Sequence, residues 1–326
     1  LSGGALAGGD AVLVVLTRLN RILQLDPARR RAVVEPGVVN ARLSEAALPH
    51  GLYYAPDPSS QSACTLGGNV AENAGGPHCL KYGVTTNHVA ALEVLLPNAE
   101  LVRLGSRSGE AWGPDLVGLF VGSEGMFGIA TEITLRLEPL PAAVRTLLAA
   151  FPSIRAASEA VSGIIAAGIV PAAMEMMDQA CVRAVEASIY AAGYPADAAA
   201  VLLVEVDGSA EATEAEAALV ESLLLRHRAT EVRTATTAAE RARLWQGRKK
   251  AFGAMGRISP DLAVQDAVVP RSTLPDILDR VAAIAAHYRL GVANVFHAGD
   301  GNLHPNISFD AGDPDQVRRV HAANHD

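Results

Sequence analysis

Cysteine is scarce in this 326-residue chain: Cys64, Cys79 and Cys181 stand alone, and no C-x-x-C pair occurs. An iron–sulfur cluster or zinc ribbon held by the chain itself is therefore not expected, and isolated thiols fit a reducing compartment. Positive charge is outnumbered. With a net charge of -8, neither nucleic acid nor an anionic membrane surface is an expected partner. No apolar run reaches the roughly 18 residues that a membrane helix needs. There is no G-x-x-x-x-G-K-[ST] phosphate loop and no G-x-G-x-x-G fingerprint, so a nicotinamide site of that kind is not supported. The opening "LSGGALAGGDAVLVVL" has no basic n-region and does not read as a signal peptide. It reads as a small-residue loop feeding a strand, and the closing "RRVHAANHD" as a helix without a cap. The sequence is expected to be a piece of a longer protein. Internal repeats and low-complexity linkers are absent as well.

What is present has the composition of a globular protein, with half of the residues hydrophobic and 19% charged. The length fits two domains. Of the 29 glycines, 18 fall within the first 128 residues, which divides the chain into two characters. The first part alternates short β-type runs ("AVLVVLT", "RAVVEPG", "ALEVLLP", "ELVRLG", "GIATEITLRL") with connections rich in Gly, Asn and Ser. The second part is Ala-rich. Its periodicity predicts helices over 154–168, 174–191, 211–227, 236–256 and 273–288, and strands over 144–150, 200–206, 262–269 and 291–297. Two prolines in "EPLP" (138–141), just after a strand-like run, mark the boundary. The expected domains are thus 1–141 and 142–326. The second reads as an antiparallel sheet covered by helices, and the fold class of the whole is α+β.

Two glycine-rich stretches stand out, "CTLGGNVAENAGG" (64–76) and "GLFVGSEGMFGIAT" (118–131). Each glycine alone is more simply a tight turn or a β-bulge. Together they allow the backbone to approach a ligand and aim its N–H groups at phosphate or carbonyl oxygens, with Asn69 and Asn73 able to add side-chain bonds. A flat, oxygen-rich cofactor suits this density best.

The other informative stretch is "VFHAGDGNLHPNI" (295–307). Asp-Gly between apolar residues is a strong hairpin signal. With Asp300 and Gly301 as the two loop residues, His297 faces His304, and Asn306 lands on the same face. One histidine on an apolar strand is usually a core residue. Two facing imidazoles beside a carboxamide suit a metal or a carboxylate better, although two His alone fall short of the three protein ligands usual in catalytic zinc sites. In "LWQGRKKAF", Lys249 and Lys250 read as a solvated helical face. Glu205 and Asp207 end a strand and read as structural. His321 and His325 read as surface residues of a helix.

The stretches "YAPDPSSQSACTLGGNVAENAGGPHCLKYGVTTNHVAALEVLLPNAELVRLG" and "DLVGLFVGSEGMFGIATEITLRLEPLP" closely resemble the FAD-binding domain of the vanillyl-alcohol-oxidase-type flavoproteins. Within these, the chain resembles the FAD-linked oxidase group that includes bacterial glycolate oxidase D subunits, D-lactate dehydrogenases and D-2-hydroxyglutarate dehydrogenases. "HAGDGNLHPN" is that group's motif in its second domain. The likeness runs over nearly the whole chain and is best along 35–141 and 291–307. It implies a PCMH-type α+β FAD-binding domain lacking its N-terminal part, then an FAD-linked oxidase substrate and metal domain lacking its C-terminal part. Ser2, Gly3 and Gly4 would be the tail of the loop that grips the FAD pyrophosphate. Pro56, Thr65, Gly67, Gly68, Asn69, Asn73, Gly75, Gly76 and Gly83 would line the flavin and its ribityl-phosphate arm. Glu124, Gly125, Gly128 and Ile129 would complete the cofactor site. Met126-Phe127 departs from the family, which usually has smaller or aliphatic residues there.

The resemblance also implies the chemistry, with Arg248, His297, His304 and Asn306 as catalytic residues. FAD would accept a hydride from a small 2-hydroxy acid. His297 and His304 would hold a divalent metal (Zn, Mn or Fe), acting as a Lewis acid on the substrate hydroxyl. Arg248 and Asn306 would fix the substrate, Arg248 by gripping its carboxylate, a task suited to a planar guanidinium. In the relatives a Gly-Glu-His-Gly segment supplies the third ligand and a general base, and this sequence does not contain it. The apolar "KKAFGAM" and "LAVQD" favour a monoacid such as glycolate or D-lactate over a dicarboxylate. Electrons would pass to an iron–sulfur subunit, a second flavin-type subunit or a quinone, in the cytoplasm or at the periphery of the inner membrane. A silent flavin-binding subunit of an oxidase complex is the alternative, and "HAGDGNLHPN" argues against it. A zinc hydrolase ranks last, because it leaves the glycine-rich half unexplained.

Overall fold

The computed structural model describes residues 7–106, 108 and 113–326. It divides into two compact units, Leu1–Leu140 and Pro141–Asp326.

The first unit is built on strands β1 (Ile22–Asp26), β2 (Arg31–Val34), β3 (Val89–Leu95), β4 (Leu101–Gly105) and β5 (Ile129–Arg136), with helices α1 (Asn40–Ala47) and α2 (Leu66–Glu72) between β2 and β3. All pairings are antiparallel, in the order β1-β2-β5-β3-β4. Alternation along the strands sends Ala32, Val34, Leu92, Val94, Ile133 and Leu135 into one core with Leu43 of α1 and Leu66 and Val70 of α2. The run "AVLVVLT" (11–17) forms no strand, contrary to expectation, and Val12, Leu13, Val14 and Val15 are exposed. A β-type run becomes a strand only where a partner edge takes its backbone bonds, and no described strand offers one there.

In the second unit the strands are β6 (Ala143–Phe151), β7 (Ala173–Asp178), β8 (Ala200–Gly208), β9 (Glu231–Thr234), β10 (Asp261–Val264), β11 (Ala267–Val268), β12 (Gly291–His297), β13 (Asn302–Leu303) and β14 (Pro305–Phe309). The helices used below are α3 (Ile154–Ala166), α4 (Gln179–Glu186), α5 (Ala210–Arg226), α6 (Ala238–Lys249), α7 (Leu274–His287) and α8 (Pro314–His325). The sheet runs β9-β6-β8-β7-β12-β13-β11, and β14 pairs with both β12 and β10. Every pairing is antiparallel. Side-chain caps start the helices: Ser153, Asp178, Ser209, Thr237 and Asp313 each accept a first-turn amide of α3, α4, α5, α6 and α8. Leu148, Met177, Val201, Leu203 and Val295 from the sheet pack with Cys181 and Val185 of α4 and with Leu244 and Trp245 of α6. Among the described residues no helix is long and apolar enough to cross a membrane.

Three expected elements change. The helix expected over 174–191 is a strand, β7, followed by the shorter α4. Met and Glu favour helix by propensity, but β7 lies between β8 and β12 with all six residues buried, and that central place overrides the preference. Asp178 ends the strand and caps α4, its Oδ1 accepting the Cys181 amide at 2.9 Å. The helix over 236–256 breaks at Lys250 into α6 and Ala251–Met255. The strand over 262–269 splits at Gln265–Asp266 into β10 and β11.

Leu203 is fully buried at the centre of this sheet. Leu203→Ala is expected to lower the free energy of unfolding by about 3 kcal/mol, read from the midpoint of a denaturant titration.

Candidate functional site

The hairpin of the second unit differs in register from the two-residue turn. His297 pairs with Asn302 rather than His304, and residues 298–301 form a four-residue turn. The cause is tertiary. Gly301 accepts the Val269 amide at 3.0 Å and sits so close to this neighbour that a Cβ would lie 2.1 Å from the Val269 carbonyl oxygen. Its own amide closes the turn on the His297 carbonyl at 3.1 Å, and its φ of 81° needs glycine. Arg271 Nη1 donates to the Gly299 carbonyl at 2.9 Å from outside the turn. The shift is two residues, so each side chain keeps its face. His297 and His304 still meet, with ring centroids 5.3 Å apart and planes at 87°. Asn306 lies opposite Ala293 on that face and is fully buried. Its Nδ2 donates to the carbonyls of Ala293 (3.2 Å) and His304 (2.6 Å), while Oδ1 has no hydrogen-bond partner.

The same face carries a polar row inside the apolar core. Register places Glu175 of β7 directly opposite His297 of β12, and Leu203 of β8 on the other side of Glu175. Glu175 is fully buried, and its Oε1 accepts from His297 Nδ1 at 2.7 Å. Because a carboxylate only accepts, Nδ1 carries the hydrogen and Nε2 of a neutral His297 keeps its lone pair. The second oxygen, Oε2, forms an ion pair with Nη2 of Arg248. Arg248 is itself fully buried, reached from α6 three residues after Trp245. Its Nε and Nη1 have no hydrogen-bond partner. Buried guanidinium hydrogens without acceptors are costly, and an anion at this spot would satisfy them. Lys250 beside it is exposed, as expected of a solvated face.

Electrostatics separates the two imidazoles. Burial works against a charged His297, but the charge and hydrogen bond of Glu175 outweigh it and raise its pKa above the ordinary value. Burial, then the neighbouring His297, lower that of His304. His304 Nδ1 has Asp266 Oδ1 at 3.5 Å, and Phe252 meets the His304 ring edge-on at 6.1 Å. Glu205 is structural: its Oε2 accepts from Thr146 Oγ1 and, at 2.6 Å, from Trp245 Nε1, which pins α6 to the sheet. His321 and His325 are exposed on α8. Among the described residues no group of three or more His, Cys, Asp or Glu side chains is placed to hold a metal ion.

The first unit holds the candidate cofactor residues, except Ser2, Gly3 and Gly4, which lie outside the described residues. Pro56 is buried, its carbonyl held by Asn40 Nδ2 at 3.0 Å. Thr65 caps α2 by accepting the Gly68 amide, and Asn73 ends α2 and accepts the Thr86 amide at 2.9 Å. Gly67, Gly75, Gly76, Gly83 and Gly128 are filled in by the chain itself: a Cβ would meet Pro36, Cys79, Asp57, Asn87 or Leu95 at under 3 Å. Gly68 and Gly125 are different: both are exposed, a Cβ at Gly68 would meet only Thr65 Oγ1 at 3.4 Å, and one at Gly125 would meet nothing within 4 Å. Glu124 and Gly125 form an exposed turn anchored by the Glu124 amide on the Ala71 carbonyl at 2.9 Å, and Ile129 opens β5. Met126 and Phe127 are exposed. Asn69 is buried with an Nδ2 that has no partner, a donor that fits an oxygen-rich ligand over the start of α2.

Glu175 was not among the residues singled out from sequence. The lone carboxylate in "PAAMEMM", apolar on both sides, is the available signal of a buried charge, and helical propensity masks it.

Comparison with known proteins identifies the family. Residues 140–326 match the family described as FAD linked oxidases, C-terminal domain, and residues 1–105 match the FAD binding domain. The chain is 52% identical over 320 residues to glycolate oxidase subunit GlcD of Escherichia coli (strain K12), covering 98% of this chain and 64% of that protein. It is 40% identical over 324 residues to the GlcD subunit of Bacillus subtilis (strain 168), covering 99% and 69%. With D-lactate dehydrogenase of Anaerostipes hadrus it shares 34% over 311 residues, covering 93% and 65%. The chain thus spans about two thirds of the length of these relatives. Among solved structures, p-cresol methylhydroxylase with substrate bound superposes with a TM-score of 0.77 at 16% identity, covering 95% of this chain and 68% of that one. Alkyldihydroxyacetonephosphate synthase gives 0.75 at 18%, covering 95% and 61%. At such identities the likeness shows the fold alone.

Arg248→Met is expected to lower the unfolding free energy by about 3–5 kcal/mol, because it leaves Glu175 buried without its countercharge. The double variant Arg248→Met/Glu175→Met should recover much of that loss in the same denaturant titration.

Proposed function

The chain belongs to the FAD-linked oxidases, with the fold of the vanillyl-alcohol-oxidase-type flavoproteins, and we propose that it oxidises a small 2-hydroxy acid, glycolate or D-lactate, to the 2-oxo acid. The observation that carries this reading is Arg248, fully buried, tied at Nη2 to Glu175 and holding Nε and Nη1 without a partner. Such a group binds a carboxylate in a water-poor site, where a charge-assisted bond is strong. The relatives named for glycolate and D-lactate, both 2-hydroxy monoacids, support the substrate class.

Arg248 binds the substrate carboxylate. Both Nδ2 hydrogens of Asn306 are taken by backbone carbonyls, so its free Oδ1 serves as an acceptor and orients the hydroxyl O–H rather than the carboxylate. Phe252 beside His304 makes that wall apolar, which favours a monoacid over a dicarboxylate. FAD, when bound, supplies the acceptor for the Cα hydrogen and its electron pair, and the hydroxyl proton leaves to a base. Gly68, Asn69 and Gly125 would contact the cofactor directly. Pro56, Thr65, Gly67, Asn73, Gly75, Gly76, Gly83, Glu124, Gly128 and Ile129 would shape the loops around it. A divalent ion (Zn, Mn or Fe) fits the two imidazoles in donor type, and His297 and His304 would hold it as a Lewis acid for the hydroxyl oxygen.

The relatives are named as subunits, so the reduced flavin is proposed to pass its electrons to an iron–sulfur subunit, a second flavin-type subunit or a quinone. The three cysteines are free thiols, in keeping with a cytoplasmic place.

Anaerobic absorbance of the full-length, flavin-loaded protein tests the reading. Glycolate or D-lactate is expected to bleach the flavin band, D-2-hydroxyglutarate to do so poorly, and a chelator to abolish the bleaching. Arg248→Lys is expected to lower kcat/KM about a hundredfold, or about 3 kcal/mol, through loss of the planar donor set. Flavin that no 2-hydroxy acid bleaches would favour the silent-subunit reading instead.

A further inference from the structure

Resting on that reading, we propose that Glu175 is a positioning residue serving both halves of the substrate site at once. It holds His297 in the Nδ1–H tautomer and anchors the guanidinium of Arg248.

The geometry leaves little freedom for any other role. Glu175 is fully buried at the middle of the sheet, and each of its oxygens has a different partner: Oε1 takes His297 Nδ1 at 2.7 Å and Oε2 pairs with Arg248 Nη2. Its neighbours on the same face of β7, Ala173 and Met177, are apolar and fully buried. A methionine or leucine there would extend the core without the desolvation cost of several kcal/mol that a buried charge carries. The charge is thus retained for something other than packing. Glu205, on the same face of the adjacent β8, shows the contrast, because it bonds Thr146 of β6 and Trp245 of α6 and so ties the helix to the sheet.

The consequence at His297 follows from hydrogen bonding alone. With Nδ1 donating to Oε1, the lone pair is at Nε2, where it can meet an ion or a substrate hydroxyl. Without the acceptor the ring can turn over or take the other tautomer, and Nε2 then carries a hydrogen where a lone pair is required. At Arg248, Oε2 engages one end of the guanidinium, so Nε and Nη1 are held for the incoming carboxylate. One side chain therefore couples the group that reads the carboxylate to the group that reads the hydroxyl, which fixes the substrate by its two functional groups.

The test uses the full-length, FAD-loaded protein stripped of metal, with Glu175→Met, Glu175→Gln and Asp178→Asn. Asp178 is a buried carboxylate three residues along the same strand that bonds Asn294 and the start of α4, so Asp178→Asn controls for a purely structural loss. Isothermal titration with Mn2+ is expected to give a Kd 10–100-fold weaker for Glu175→Met, an intermediate value for Glu175→Gln with its single acceptor oxygen, and no change for Asp178→Asn. Proton–nitrogen correlation spectra of [15N]histidine-labelled protein, with the His297 signals assigned by their loss in His297→Ala, should show Nδ1–H in the wild type and a mixture in Glu175→Met. Should Glu175→Met fail to fold, Glu175→Gln carries both readouts. Variants at Glu175 that bind Mn2+ as the wild type does, with His297 in the same tautomer, would overturn the proposal. A wild type that takes up no Mn2+ counts against the metal in the functional reading, and the histidine spectra then decide Glu175 by themselves.

Discussion

The second unit depends on one buried carboxylate. Glu175 lies at the centre of an antiparallel sheet, pairs with Arg248 and accepts from His297. Burying Glu175 there is tolerable only because both of its oxygens have a partner, and that needs the strand register and the placing of α6 to be right together. Register puts Glu175 opposite His297. The bond between Glu205 and Trp245 holds α6 down so that Arg248, one turn on, reaches the same row. The apolar core around the row supplies the low dielectric in which these few contacts become strong.

The first unit shows a different use of sequence. Its glycines divide into those whose missing Cβ makes room for the chain's own backbone, such as Gly67 against Pro36 and Gly76 against Asp57, and those open to the outside, Gly68 and Gly125. Glycine density here thus marks closely packed loops as well as open positions. The unclaimed amide of Asn69 says more about a ligand than most of the glycines do.

Much of this was legible in the chain, for physical reasons that also explain the failures. The shared face of His297, His304 and Asn306 could be read because a two-residue register shift preserves faces. The register itself could not, since it turns on a contact between Gly301 and Val269 that no local pattern announces. Arg248 could be separated from Lys249 and Lys250 through family resemblance, and it is fully buried where Lys250 is exposed. Glu175 was hidden because "MEMM" favours a helix, and only the neighbouring strands make it one of their own. The exposed "AVLVVLT" fails in the opposite sense, having strand composition without a partner edge among the described residues.

The most direct measurement of the central claim is the rate of anaerobic flavin reduction by glycolate carrying deuterium at Cα, compared with unlabelled glycolate. If Arg248 and the His297 face present a 2-hydroxy acid for loss of its Cα hydrogen to the flavin, the labelled acid reduces it several-fold more slowly. Equal rates for the two would contradict the account when the chemical step limits reduction, as would a flavin that neither they nor D-lactate reduces.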